Sequence, residues 1–189
     1  MTTPADLRGL LLSPEDAAAL DAPGTKDAAV LVPLYLDAGT LHAVFTKRRD
    51  DLKRHAGEIS FPGGRQDFPD EDLRTTALRE AEEEIGLAPS DVELVGAVEP
   101  VGTFVTKYKI HPFVGVIRPG HAWTPQPSEV EEVLELSLPN LVSGFESKRL
   151  LKKGVPIRTP TYTVGRHFVW GATARIVEYL LGRLSPLLP

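Results

Sequence analysis

"FPGGRQDFPDEDLRTTALREAEEEIGL", residues Phe61 to Leu87, joins a Gly-Gly turn to a helix whose far end gathers Glu80, Glu82, Glu83 and Glu84. Leu73, Ala77, Leu78, Ala81 and Ile85 recur at three- and four-residue spacing, the pattern of one buried helix face. Asp70 is the expected N-cap, and Gly86 the residue that stops the helix. Glu80, Glu83 and Glu84 stand at i, i+3 and i+4, so their carboxylates are neighbours on one side. Like charges at this spacing cost about 0.2–0.5 kcal/mol per pair, and anions in a last turn oppose the helix dipole by about 0.3–1 kcal/mol each. Arg79 can pair with Glu83 at i+4, but one guanidinium does not neutralise the group. Two readings meet these facts: a solvated face built of a good helix former, or a bound divalent cation. Hard carboxylate oxygens, with no Cys in the chain and no His at helical spacing, point to Mg²⁺ or Mn²⁺ rather than zinc. Gly63 and Gly64 allow the main chain to approach a ligand closely and to set a backbone carbonyl beside the carboxylates, which favours the cation.

The rest of the composition narrows the class. With 189 residues and 42% apolar content, one domain with a real core is expected over residues 1–189, the first 25 forming a short helical extension. A net charge of −5 argues against a broad basic nucleic-acid surface. The absence of cysteine excludes disulfides, thiol nucleophiles and Cys-ligated zinc. No secretory signal is legible in "MTTPADLRGLLLSPEDAAALDAPG", and no run reaches the roughly 18 apolar residues of a membrane span, so a cytoplasmic protein without nucleic-acid or membrane partners is expected, as a monomer or homodimer.

Elsewhere the pattern reads as mixed strand and helix. Residues 4 to 20 carry helical spacing, with Ser13 an N-cap ahead of Pro14. Strands are expected at Ala28 to Leu36 and Leu41 to Arg48, paired as a hairpin, with Pro33 suggesting an edge position or bulge. Further strands are read at Asp91 to Val101, Thr103 to Ile117, Glu129 to Leu138 and Val155 to Val164, with a Pro-rich loop "HAWTPQPS" among them. An amphipathic helix closes the chain at Gly171 to Leu184. Such an order predicts a layered α/β or α+β domain.

Residues Arg79 to Leu87, "REAEEEIGL", resemble the second half of the Nudix hydrolase signature, G-x5-E-x7-R-E-U-x-E-E-x-G-U, with Ala81 undersized for its aliphatic slot. Glu71 fills the first glutamate slot, whereas the glycine slot falls on Arg65, one residue after Gly64. That shift is similar to the coenzyme A pyrophosphatase branch, whose loop runs G-G-x-x-D-x-x-D; Gly63, Gly64, Asp67 and Asp70 fit it. The upstream "VFTKRRDDLKRHAGEISFPGG" also resembles that branch at Thr46, Arg48, Gly57, Phe61, Pro62, Gly63 and Gly64, with Arg49 and Lys53 replacing a small residue and an arginine. Weaker echoes are Glu129-Val130 and "WGATARI" from Trp170.

The resemblance implies a Nudix-type α/β/α sandwich around a mixed sheet and metal-dependent hydrolysis of a nucleoside diphosphate derivative. For this branch the substrate is coenzyme A, cut to 3′,5′-ADP and 4′-phosphopantetheine; ADP-ribose, NADH and oxidised nucleoside triphosphates are alternatives, and a non-catalytic nucleotide-binding regulator a more distant one. It places Glu80, Glu83, Glu84 and the Gly64 carbonyl at Mg²⁺ or Mn²⁺, Glu83 as the proton acceptor, Arg79 as the residue orienting a glutamate, and Glu71 as a loop stabiliser. Arg48, Arg49, Lys53, Arg54 and Arg65 are the expected substrate-binding cations, although Asp50 and Asp51 also allow a solvated loop there. Glu129 and Glu132 are weaker candidates for an outer metal ligand or base, and solvation at a strand edge is the favoured reading of both. Packing is the expected fate of Trp123 and Trp170, and no role is assigned to His42, His111, His121 or His167.

Overall fold

The computed structural model describes residues 3–52, 55–67, 72–103, 106–152 and 155–188; Lys53, Arg54, Asp70 and Glu71 lie outside them. Helices α1 (Pro4–Leu10) and α2 (Pro14–Ala19) open the chain, the second capped by Ser13, which accepts from the Asp16 amide, and started by Pro14. Both bury a residue, Leu7 and Ala17, against the sheet. The strands that follow are β1 (Lys26–Asp37), β2 (Thr40–Arg48), β3 (Ile59–Ser60) and β4 (Gly63–Arg65). Then come α3 (Leu73–Ile85), β5 (Glu93–Ala97), β6 (Val101–Gly102), β7 (Tyr108–Val116), β8 (Val130–Ser137), α4 (Leu138–Ser143), β9 (Phe145–Lys152), β10 (Val155–Val164), β11 (His167–Val169) and α5 (Gly171–Leu184).

Eight strands form a mixed sheet around β1, which runs parallel to β7 and antiparallel to β2 and β4. Strands β9, β10 and β11 make a smaller antiparallel sheet. Two core clusters lie on the two faces of the large sheet. One gathers Ala77, Ala81 and Ile85 of α3 with Leu31, Val44 and Phe113; the other gathers Ile176, Val177 and Leu180 of α5 with Val32, Phe45 and Leu134. The fold is therefore α+β, a mixed sheet between helices, as the order of elements predicts.

Pro33 corrects one expectation, because it lies in the central strand rather than at an edge. The amide of Leu31 donates to Pro62 O, so the odd-numbered amides of β1 point to the antiparallel side. On that side the pairing passes from β4, ending at Val30–Gly63, to β2, beginning at Leu34–Ala43. The missing N–H of Pro33 falls in this gap and breaks no ladder bond. The β1–β2 turn closes on the Asp37–Thr40 pair with Ala38 at φ 46° and Gly39 at φ 81°, the two positive angles of a type I′ turn. The stretch expected as one strand from Asp91 is split: a short 3₁₀ turn spans Pro89–Asp91, and β5 and β6 flank Pro100.

Helix α3 follows the expected face and stop, with Gly86 left-handed at φ 73°. Its N-cap is Asp72, whose side chain accepts from the Arg74 amide. Beyond its C-terminus, Thr124 N donates to Ile85 O at 3.0 Å and Gln126 N to Glu84 O at 2.8 Å. The Pro-rich loop thus covers carbonyls that a helix end leaves without intrahelical partners.

Candidate active site

Two anchors hold the Gly-Gly turn over α3. Gly63 and Gly64 pair with Val30 and Ala29 in the middle of β1, and the Gly63 amide donates to Glu84 Oε2 at 3.4 Å. A Cβ on Gly64 would come within 2.5 Å of the Glu80 carboxyl carbon, so only glycine lets that carboxylate lie against the turn. On Gly63 a Cβ would meet the Ala29 carbonyl oxygen at 2.3 Å.

The turn and α3 form one wall of a cavity of about 610 Å³. Glu80 and Glu84 line it, with Arg48, Arg65, Asp67 and Glu129 around them. Its far side is less charged, formed by Val30, Ile110, Thr103, Thr106, Tyr108 and the first turn of α5 at Ala172 and Thr173. Glu84 is only 7% exposed, and burial, followed by the nearby Glu80 charge, pushes its carboxyl up to about 8. Burial also raises Glu80, against the pull of Arg79.

Arg79 ties the helix to the loop. Its guanidinium donates to Glu80 at 3.0 Å, to Glu83 at 3.3 Å and to Arg65 O at 3.5 Å, and lies 3.9 Å from Asp67. Glu83 is drawn out by this pair; its side chain is 59% exposed and does not line the cavity, unlike the position expected for a proton acceptor. Arg48 lines the cavity and pairs with Glu129 at 3.5 Å, while its Nε is buried with no acceptor among the described residues. Arg65 lines the rim beside Asp67. Arg49 turns elsewhere, donating to Asp51 and to Pro127 O, because its strand end faces the β8 approach. Lys53 and Arg54 lie outside the described residues.

Glu129, read from the sequence as solvated strand edge, lines the cavity, whereas Glu132 pairs with Arg166 at 3.1 Å. Thr103, Thr106 and Tyr108 are also site-lining residues that the sequence does not mark. The local signal is the Thr103–Tyr108 closure: Tyr108 N donates to Thr103 Oγ1 at 2.8 Å, with Lys107 at φ 58°.

Among the described residues no three carboxylates or imidazoles converge to cage a metal ion. The donor set nonetheless suits a hard divalent cation. Mg²⁺ binds through one or two carboxylates plus waters and substrate phosphates, and Glu84 is a buried carboxyl that accepts a hydrogen bond from the Gly63 amide and, among the described residues, from no cation. No helix among the described residues is long and apolar enough to cross a membrane.

A mixed sheet between helices, with helix-borne carboxylates lying against a Gly-Gly turn on one wall of a cavity rimmed by arginines, defines a layered α+β scaffold for handling an anionic substrate. The NUDIX domain family matches residues 25–152. The uncharacterized Nudix hydrolase NudL of Escherichia coli O7:K1 (strain IAI39 / ExPEC) is 36% identical over 159 residues, covering 82% of this chain and 81% of that protein. Among solved structures, a C. elegans Ap4A hydrolase in binary complex aligns with a TM-score of 0.52 at 16% identity, over 63% of this chain and 85% of its own. RenU, a Nudix hydrolase from M. smegmatis, aligns with a TM-score of 0.53 at 18% identity, over 70% of this chain and 81% of its own. The chain belongs to the Nudix hydrolase family. Such enzymes act on pyrophosphate bonds and generally need divalent cations such as Mg²⁺ or Mn²⁺.

Proposed function

We propose that this protein hydrolyses the pyrophosphate of coenzyme A or a coenzyme A derivative to 3′,5′-ADP and 4′-phosphopantetheine, acting in the cytoplasm as a single catalytic domain. The observation that carries the hydrolytic reading is the pair of Glu80 and Glu84 carboxylates lining one cavity directly beneath Gly63–Gly64. The choice of coenzyme A rests on the segment from Val44 to Gly64, which resembles that branch of the family, and on Arg48, which it brings to the cavity.

Glu80 and Glu84, with the Gly64 carbonyl, are the residues to hold Mg²⁺ or Mn²⁺. Bound there, such a cation would screen the pyrophosphate charge and lower the pKa of the attacking water. Arg79 holds Glu80 in place by a charge-assisted hydrogen bond, so its role is to orient a carboxylate rather than to touch substrate. Arg48 and Arg65, both of which line the cavity, receive phosphate oxygens through their guanidinium groups. The proton of the attacking water passes to a carboxylate inside the cavity. Glu129 takes this role in place of Glu83, because a general base must stand within hydrogen-bond reach of the proton. Val30, Ile110 and Tyr108 receive the less charged part of the substrate.

The test is product analysis by ion-exchange chromatography after incubation with coenzyme A, ADP-ribose or NADH, in Mg²⁺, in Mn²⁺ and in chelator. Metal-dependent release of 3′,5′-ADP, with coenzyme A preferred, is the expected result. Cleavage of ADP-ribose or NADH with coenzyme A left intact refutes the substrate assignment and keeps the site; no cleavage of any of them with either metal refutes both.

A further inference from the structure

We infer that Trp123, Glu135 and Tyr35 form a latch that positions the carboxylate end of α3, which makes Trp123 a positioning residue for the reaction; the inference rests on the metal role proposed for Glu84. Glu135 on β8 accepts from the Tyr35 hydroxyl on β1 at 2.5 Å and from the Trp123 indole N–H in the loop between β7 and β8. Tyr35 is buried and its ring stacks on His42, centroids 5.0 Å apart and 8° from parallel, so the donor on the sheet has a fixed direction. Trp123 packs against the core cluster under α3 and is flanked by His121 at 4.7 Å.

Three consecutive features of the loop depend on that anchor. Thr124 and Gln126 donate to the Ile85 and Glu84 carbonyls, so the loop grips the turn of α3 that carries the buried carboxylate. Gln126 O then accepts from Glu129 N at 3.1 Å and Val130 N at 2.9 Å, which sets where Glu129 enters the cavity. One anchored segment therefore fixes both the helix end and the carboxylate facing it. The indole N–H lies remote from the reacting atoms and acts only through this backbone. Groups that orient metal ligands from outside typically cost about 10- to 100-fold in metal affinity when removed.

The experiment is a Mn²⁺ titration of the metal-free full chain, followed by electron paramagnetic resonance, together with turnover against Mn²⁺ concentration. Trp123→Phe keeps an aromatic ring and removes the N–H; Glu135→Leu removes the acceptor, and Glu135→Gln restores an acceptor oxygen. Half-saturating Mn²⁺ should rise about tenfold in Trp123→Phe and Glu135→Leu and fall back in Glu135→Gln, with kcat at saturating Mn²⁺ also reduced in the first two because Glu129 is displaced with the loop. Unchanged half-saturation in the first two variants, whatever their Tm, overturns the latch and leaves the Glu84 reading standing. A wild-type chain that takes up no Mn²⁺ overturns both. Weakened Mn²⁺ uptake in the variants supports the latch even where no pyrophosphate is cut, so failure of the substrate assignment shows separately.

Discussion

Replacing Glu84 by Gln should stabilise the metal-free protein and abolish its stabilisation by metal. A carboxyl raised from 4.5 to about 8 holds its proton in the folded chain over a range where the unfolded chain has released it. The folded state then binds more protons, so stability falls as pH rises from about 4.5 to about 8. At pH 7 some 2.5 units of that window have been crossed, which is about 3 kcal/mol at 1.36 kcal/mol per unit. Gln is isosteric and keeps an oxygen for the Gly63 amide, so the substitution removes the charge without removing the contact. Urea denaturation in chelator, run from pH 5 to 8.5, should show wild type and variant nearly level at pH 5 and the variant ahead by about 3 kcal/mol at pH 7, widening to about 4 kcal/mol by pH 8. Added Mg²⁺ should raise the wild type alone, since the variant lacks the ligand. A difference between the two proteins that does not change with pH, or a variant less stable at pH 8, refutes the account of Glu84 as a destabilised carboxylate.

The two glycines of the turn should fail differently. Gly63→Ala drives a methyl into the β1 backbone and should cost about 1–3 kcal/mol or more of stability, whereas Gly64→Ala meets the mobile end of Glu80 and should lower kcat by about 100-fold with little loss of Tm. Thermal melts and turnover on the same samples separate these outcomes; equal loss of Tm in both contradicts the geometry. Ala38 holds a positive φ in the hairpin turn, so Ala38→Asn should raise stability by about 0.5–1 kcal/mol in urea denaturation, and a loss would contradict the type I′ assignment. For the proton acceptor, Glu129→Gln should lower kcat by at least about 100-fold, with Glu83→Gln much milder. The reverse ranking would return the role to Glu83.

Local signals were enough for the elements whose burial repeats along the chain. The face and stop of α3, the cap at Ser13 and the span of α5 need only near neighbours, and the sequence marks each of them. Pro33 misled because an unpaired N–H is usually an edge property, while here it falls where β1 changes partners, a fact of topology. Strand β9, "FESKRLLK", is half charged and gains its conformation from pairing with β10, so its own composition gives little sign of it. The Thr103 run reads as one strand, whereas β7 begins only at Tyr108, because Lys107 N and Tyr108 N bond back to Thr103, a closure that composition does not announce. Within the site, the helix carboxylates were legible but not which of them reach the cavity. That depends on Arg79 drawing Glu83 outward and on β8 bringing in Glu129 from far along the chain.

The handover on β1 also divides the protein's labour. Because β4 is paired to the centre of the sheet at Ala28, Ala29 and Val30, the Gly-Gly turn does not depend on the run between Arg49 and Glu58 for its place. That run leaves from the end of β2 and returns at β3, outside the strand that seats the carboxylates. Its side chains can therefore be exchanged without unseating the Gly-Gly turn, provided that Arg49 still donates to Glu129 O and Pro127 O, each at 3.0 Å. The turn that seats the carboxylates and the run that precedes it are separately anchored stretches of one chain.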